Sequence, residues 1–263
     1  MSTPATPLRS LQAGSLKIEV HASRRAAGEA AAHAAAQSLQ DLAERARQVA
    51  VVFATGASQL ATLRALTSID GLPWDQVTGY HMDEYAGLAA DHPASFRRYL
   101  RDHLTRRVAL RAFWEIDGSA DPARVCREYA QKLRSSEPQL CLLGIGENGH
   151  LAFNDPAEAD FQDPLDMKVV TLDAVCRQQQ VAEGWFGSLD EVPKTALTLT
   201  IPALLRVPKL IASVPGSRKA TIVRRTLEEP ISTACPATIL RTHPDVTVYL
   251  DEESSAELKG VRT

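Results

Sequence analysis

The sequence predicts an α/β fold, a doubly wound and mostly parallel sheet with helices on both faces. Two observations carry this reading. Short, wholly apolar runs recur along the chain, and helical patterns separate them. Strands covered on both faces read as continuous apolar runs rather than as alternation, and strands alternating with helices make parallel sheets. The runs also end in small or polar residues, and such sheets bind ligands beyond the carboxyl ends of their strands.

Residues 15–20 (SLKIEV) alternate polar and apolar and predict the first strand. An Ala-rich helix follows over residues 23–48, with Ser23 as its cap. Its charged residues, Arg24, Glu29, Asp41, Glu44 and Arg45, mark an ordinary surface helix. Residues 49–53 (VAVVF) are a buried strand ending in Thr-Gly, and residues 59–66 a helix. Residues 77–82 form a strand ending in Asp-Glu, and helices are predicted over 95–104 and 123–133. The strand at 140–145 ends in Gly-Glu-Asn-Gly-His. Residues 154–166 (NDPAEADFQDPLD) are acidic and proline-containing and predict a mobile loop near the site. Further apolar runs at 197–201 and 210–214 precede a helix over 217–227. Residues 1–14 read as a flexible leader, and 15–263 as a single domain.

The bulk properties exclude several classes. With 263 residues, 44% hydrophobic and 23% charged, the chain has the composition of a globular protein with a full core. The net charge of −3 is spread along the chain and leaves no basic footprint for nucleic acid. Arg24-Arg25 and Arg224-Arg225 read as solvated helix faces. Cys126, Cys141, Cys176 and Cys235 form no CxxC pair and no zinc pattern, and read as thiols. No apolar stretch reaches membrane-spanning length and no signal region is seen, so a cytoplasmic location is expected.

Two turns could hold an anion. Thr55, Gly56, Ala57 and Ser58 join a strand to a helix, offering backbone N–H groups and two hydroxyls. The same turn also occurs in strand–helix units without a ligand. Pro215, Gly216, Ser217, Arg218 and Lys219 form a second such unit. Lys219 in a first helical turn opposes the helix dipole, so a bound anion explains it better than local stability does. No GxGxxG and no Walker motif is present, so a phosphate monoester fits better than a nucleotide.

Acid–base groups follow the other two strand ends. Asp83 and Glu84 stand together after residues 77–82, where they serve either as an exposed acidic loop or as catalytic carboxylates. Gly144, Gly146 and Gly149 allow backbone close to a ligand, with His150 next and Asn148 and Asp155 flanking it. A histidine beside a carboxylate is the usual unit for proton transfer near neutral pH. Serine or cysteine nucleophile motifs and HExxH-type ligand sets are missing, so neither a metal nor a cofactor is expected.

These residues resemble the glucosamine-6-phosphate deaminase family. Residues 82–96 follow its MDEYxGLxxxHPxSF pattern, and 144–156 its GxGxxGHxxFNxP segment. Thr55 to Ser58 resemble its phosphate turn and 216–220 its GSxKA segment. The likeness runs from Leu16 to Lys259 and includes 192–198 and 236–251. It implies a Rossmann-like fold related to ribose-5-phosphate isomerase and 6-phosphogluconolactonase. It also implies conversion of glucosamine 6-phosphate and water into fructose 6-phosphate and ammonia. His150 would open the sugar ring by protonating its ring oxygen, and Asp83 would move a proton from carbon 2 to carbon 1. Asp155 would orient His150, while Thr55, Gly56, Ala57, Ser58, Arg177 and Lys219 would hold the phosphate. The family includes ring hexamers and monomers, so a homo-oligomer is compatible with it.

Two positions depart from the family's pattern. Asn148 stands where some members carry Asp, which removes a charge beside His150. Asp155 stands where Glu is usual, and its side chain is one methylene shorter unless the loop moves inward. The segment 157–166 also differs. The rival readings are a 6-phosphogluconolactonase-type hydrolase, an isomerase or deaminase of another amino-sugar phosphate, and a non-catalytic sugar-phosphate sensor. The Asp83-Glu84-Tyr85 and Phe153-Asn154-Asp155-Pro156 segments favour the deaminase over the lactonase, and the retained carboxylate–histidine set argues against a sensor.

Overall fold

The computed structural model describes residues 6–258. An eight-stranded sheet runs in the order β1-β2-β11-β10-β7-β3-β4-β6. Its strands are β1 (Arg9–Ala13), β2 (Leu16–His21), β3 (Val49–Phe53), β4 (Val77–His81), β6 (Ala112–Trp114), β7 (Leu140–Leu143), β10 (Lys209–Ser213) and β11 (Val246–Asp251). Every neighbouring pair is parallel except β1 with β2.

The apolar runs are central strands because both faces of the sheet are covered. On β3, Val49, Val51 and Phe53 pack into one core and Ala50 and Val52 into the other. The first core takes α1 (Arg24–Arg45), α2 (Leu60–Leu66) and α3 (Phe96–Leu100). The second takes α4 (Pro122–Ser136), α6 (Ile201–Leu205) and α7 (Ala220–Glu228). Ser23 caps α1 as expected, accepting a bond from Ala26 N at 3.2 Å. The alanines of α1 bring it close to α2. At Gly28 the gap closes so far that a Cβ would lie 2.5 Å from the Ala61 Cβ and 3.0 Å from α2 backbone atoms.

A second, three-stranded antiparallel sheet has the order β5-β9-β8, from β5 (Asp83–Tyr85), β8 (Met167–Thr171) and β9 (Thr195–Leu199). Its core is aromatic: Tyr85, Phe96, Phe153 and Phe186 pack with ring centroids 5.0–5.6 Å apart. The last helix, α5 (Ala174–Ala182), lies between β8 and β9 in the chain.

Several expectations are corrected. The part of the 1–14 leader between residues 9 and 13 is an edge strand, fastened because each of its residues pairs with β2. Residues 1–5 of that leader, and Lys259, lie outside the described residues. Of the run at 197–201, residues 197–199 belong to β9, in the small antiparallel sheet, because that strand pairs with Asp83–Tyr85 rather than with a parallel strand, and Ile201 already opens α6. The helix over 95–104 is α3 continued by a π-turn at Arg101–Thr105, and that over 217–227 starts with a 3₁₀ turn at Ser217–Lys219. The segment 154–166 is irregular but tied down at several points. Asn154 Nδ2 donates to Leu151 O and Leu199 O, and Lys168 pairs with Asp163 at 2.9 Å.

Gly28 generates a test. Alanine favours a helix interior over glycine by about 1 kcal/mol, whereas overpacking costs about 1–3 kcal/mol. Here the overpacking wins, because two of the opposing atoms are backbone. Gly28→Ala is expected to lower unfolding stability in urea by about 1 kcal/mol. A variant as stable as the parent would show that α1 and α2 can separate freely.

Candidate active site

The sheet reverses direction between β3 and β7: β4 and β6 extend to one side of β3, and β10 and β11 to the other side of β7. Loops leaving such a switch point diverge and leave a crevice at the strand ends. Gln59 braces the crevice floor. It is 1% exposed, and its Nε2 donates to Leu143 O at 3.0 Å and Ser213 O at 3.4 Å. The turns after β3, β7 and β10 line one cavity together with Asp83, His150 and Lys219.

The two small-residue turns both line this cavity. Gly56 has φ 91° and Gly216 φ 98°, a region that a side chain strains. Both oxygens of the Asp251 carboxylate accept the Gly216 N–H at 3.0 Å, which ties the second turn to the end of β11. Lys219 is 8% exposed and, among the described residues, its ammonium has neither a hydrogen bond nor an ion pair. Burial pulls its pKa below the usual lysine range, against the raising fields of Glu147 and Glu183. A buried cation without a partner is costly unless an anion joins it.

Asp83 and Glu84 are separated by their surroundings. Alternate residues of a strand face opposite ways. Glu84 is fully buried and accepts from Tyr85 N, Ser95 Oγ, Phe96 N and Arg97 N at 2.8–3.2 Å. It therefore satisfies the free N–H groups that open α3, and its role is structural. Asp83 has an oxygen without a hydrogen-bond partner and reaches the cavity. Burial, and then the nearby Glu84 charge, push its pKa up to about 8. Neighbouring His81 is wholly buried, and burial together with Arg97 lowers its pKa to about 3, so it stays neutral.

His150 lies over Gly146, where a Cβ would come within 2.1 Å of the imidazole ring. Its Nδ1 is 3.0 Å from Asp155 Oδ1, within ion-pair distance but off the line of a hydrogen bond. The shorter Asp155 therefore does reach the histidine. It is brought in because Phe153 N donates to Thr198 Oγ1 and Asn154 is clamped to Leu199 O, both on β9. Burial alone would raise the Asp155 pKa. The nearby His150 and the bonds from Asn148 and Asp173 N nevertheless hold its carboxyl below the usual range.

Asn148 lies outside the cavity lining and acts behind it. Its Nδ2 donates to Asp155 Oδ1 at 2.9 Å and to Asp173 Oδ2 at 3.0 Å, and its Oδ1 accepts His150 N at 3.0 Å. An aspartate could not donate those two bonds. The departure at 148 thus goes with a second carboxylate, Asp173, which also caps α5 through Cys176 N. Cys176 closes the group, with ligand-type atoms of His150, Asp155 and Cys176 all within 4.8 Å of one another. Burial and the neighbouring carboxylates raise the Cys176 pKa well above the thiol range, so it stays a protonated thiol rather than a ready thiolate ligand.

Of the expected phosphate residues, Thr55, Gly56, Ala57, Ser58 and Lys219 line the cavity. Arg177 does not: its guanidinium donates to Leu189 O, because the α5 turn carrying it faces the 3₁₀ segment at Leu189–Glu191. The cavity is instead walled by Gln179, Gln180 and Glu183 of the α5 region and by Arg24 at the start of α1. Sequence reading missed the three α5 residues and assigned Arg24 to solvent. The run Gln178-Gln179-Gln180 was the available signal, whereas Arg24 carries none that separates it from Arg25.

A protein-family model described as glucosamine-6-phosphate isomerases/6-phosphogluconolactonase matches residues 22–249. A glucosamine-6-phosphate deaminase of Exiguobacterium sibiricum is 33% identical over 220 residues, 83% of this chain and 85% of that protein. Glucosamine-6-phosphate deaminase 1 of Bacillus subtilis is 36% identical over 211 residues, 78% of this chain and 85% of that one. Among solved structures, a monomeric glucosamine-6-phosphate deaminase superposes with a TM-score of 0.84 at 31% identity, covering 92% of this chain and 99% of its own. A 6-phosphogluconolactonase from Thermotoga maritima shares the fold, with a TM-score of 0.73 at 18% identity over 89% of this chain and 98% of its own.

The raised Asp83 pKa has a consequence for stability. A carboxyl whose folded pKa lies above its unfolded value contributes stability that is present below the unfolded pKa, here the ordinary aspartate value of about 3.8, and lost as pH rises through the folded value of about 8. Asp83→Asn removes that loss. Its melting temperature relative to the parent is expected to climb between about pH 4 and 8, by at least about 2–4 °C, and to level off above. Parallel melting curves across that range would contradict the assignment.

Proposed function

The chain belongs to the glucosamine-6-phosphate isomerase/6-phosphogluconolactonase family, and we propose that it is an enzyme converting glucosamine 6-phosphate and water to fructose 6-phosphate and ammonia. One observation carries this reading. Asp83 and His150, the latter backed by the buried Asp155, line the same cavity as two small-residue turns and a lysine whose ammonium has no partner. Acid–base groups stand at one end and an anion cradle at the other, an arrangement suited to a sugar phosphate whose phosphate is remote from its reacting carbons. Phosphate binding then supplies orientation for the proton transfers.

In this reading His150, held in place by Asp155, protonates the ring oxygen and opens the pyranose. Asp83 takes the proton from carbon 2 and returns it to carbon 1, so that a carbon–nitrogen double bond forms at carbon 2. Water adds to that carbon, the carbon–nitrogen bond breaks, and ammonia leaves. Asp83 must act as base and then as acid, and a pKa of about 8 keeps both forms populated near neutral pH. Asn148 and Asp173 hold Asp155 in place from behind the cavity lining. The family resemblance favours a cytoplasmic location, and no described helix is long and apolar enough to cross a membrane.

Purified protein incubated with glucosamine 6-phosphate is expected to release ammonia and fructose 6-phosphate. His150→Ala and Asp83→Asn should each lower the rate by about 10²–10⁴. Because the ionised carboxylate is the form that abstracts the proton, kcat/KM should fall as pH drops below about 8. Binding of the sugar phosphate without ammonia release would overturn the deaminase reading, and assays with 6-phosphogluconolactone and other amino-sugar phosphates would then separate the rivals.

A further inference from the structure

Lys219 cannot neutralise a phosphate monoester alone, since the dianion carries about −1.5 to −2 charges at pH 7. The residue expected to supply the second charge, Arg177, is turned away and bound to Leu189 O. Another guanidinium lies in the cavity lining instead. Arg24 is the first residue of α1, and its Nη2 stands over Gly216, 2.6 Å from where a Cβ at that position would be. Sheet order explains how a residue so early in the chain arrives there. His21, at the end of β2, is in register with Asp251 at the end of β11, and Asp251 holds Gly216 N. The start of α1 and the second anion turn are therefore neighbours across one strand.

The nearby carboxylates are already engaged. Asp251 accepts from Gly216 N and Ser254 N, Glu29 pairs with Arg25 at 2.7 Å, and Glu147 pairs with Arg218 at 3.4 Å. Among the described residues the Arg24 side chain has neither a hydrogen bond nor an ion pair. It is exposed, so holding its charge ready costs little before a ligand arrives. Its planar fork suits two phosphate oxygens at once.

We propose that Arg24 is the second cation of the phosphate subsite, closing it from the start of α1 in place of Arg177. This rests on the reading of the cavity as a sugar-phosphate site, and it assigns a residue outside every motif that pointed to that site. The shape at Gly216 is part of the device, because any side chain there would push the guanidinium off the turn.

The test measures binding of inorganic phosphate by calorimetry to the parent, Arg24→Gln, Arg24→Lys and Arg177→Gln, with each fold checked by thermal unfolding. Losing a bidentate charged contact should weaken phosphate by about 10- to 100-fold in Arg24→Gln. Arg24→Lys should fall between that variant and the parent, and Arg177→Gln should stay within about twofold of the parent. With glucosamine 6-phosphate, Arg24→Gln should act mainly by raising KM. Parental phosphate affinity in Arg24→Gln, or a loss confined to Arg177→Gln, would overturn the proposal. Phosphate binding is read without turnover, so the assignment of Arg24 stands or falls separately from the deaminase reaction.

Discussion

Between β3 and β7 the winding of the sheet reverses, and the crevice left there determines where everything else in the site must come from. Strand ends on either side deliver one turn each, and parallel pairing puts all of those ends at the same edge. Gln59 makes the reversal stable. Its buried amide donates to the carbonyls that end β7 and β10, so both are satisfied across the gap. Without that brace the turn after β3 and the turns across the gap would have no common reference.

The small antiparallel sheet supplies what the large one cannot. A strand tip in a parallel sheet places a side chain at the crevice mouth but leaves it loosely held. Asp83 is instead the first residue of β5, paired with Thr198 on β9. Thr198 also receives Phe153 N, and Leu199 O receives Asn154, so the same strand positions the loop that carries Asp155. One strand, β9, thereby sets the separation between the base and the histidine's partner. The aromatic cluster around Tyr85 and Phe153 keeps that assembly dry, which is why the Asp83 carboxyl is shifted so far.

The site is divided by how its charges are satisfied. At the reacting end every carboxylate but Asp83 is hydrogen-bonded: Glu84 to the opening of α3, Asp155 and Asp173 to Asn148. At the phosphate end the cations Lys219 and Arg24 are left without partners, and they face a turn of backbone N–H groups and hydroxyls. A paired charge is fixed in place and an unpaired one waits for a ligand. That contrast distinguishes support from recognition more sharply than residue type does, since aspartate and arginine occur in both groups.

The alternation of apolar runs and helices was legible from the amino acids alone, and so was the placement of the two anion turns, Asp83 and His150 at strand ends. These follow from local periodicity, turn chemistry and motif, each contained within about ten residues of chain. The pairing of residues 197–199 in a separate antiparallel sheet was not legible, because an apolar run has the same composition whichever partner it finds. Nor were the destinations of the two arginines. Whether Arg177 or Arg24 meets a ligand depends on which strand ends lie side by side, and β2 reaches the site only through β11, more than 200 residues further along the chain. Sequence determined the elements and the reacting groups, while the tertiary structure decided which charges are left unpaired to receive a substrate, because pairing is a property of distance in space.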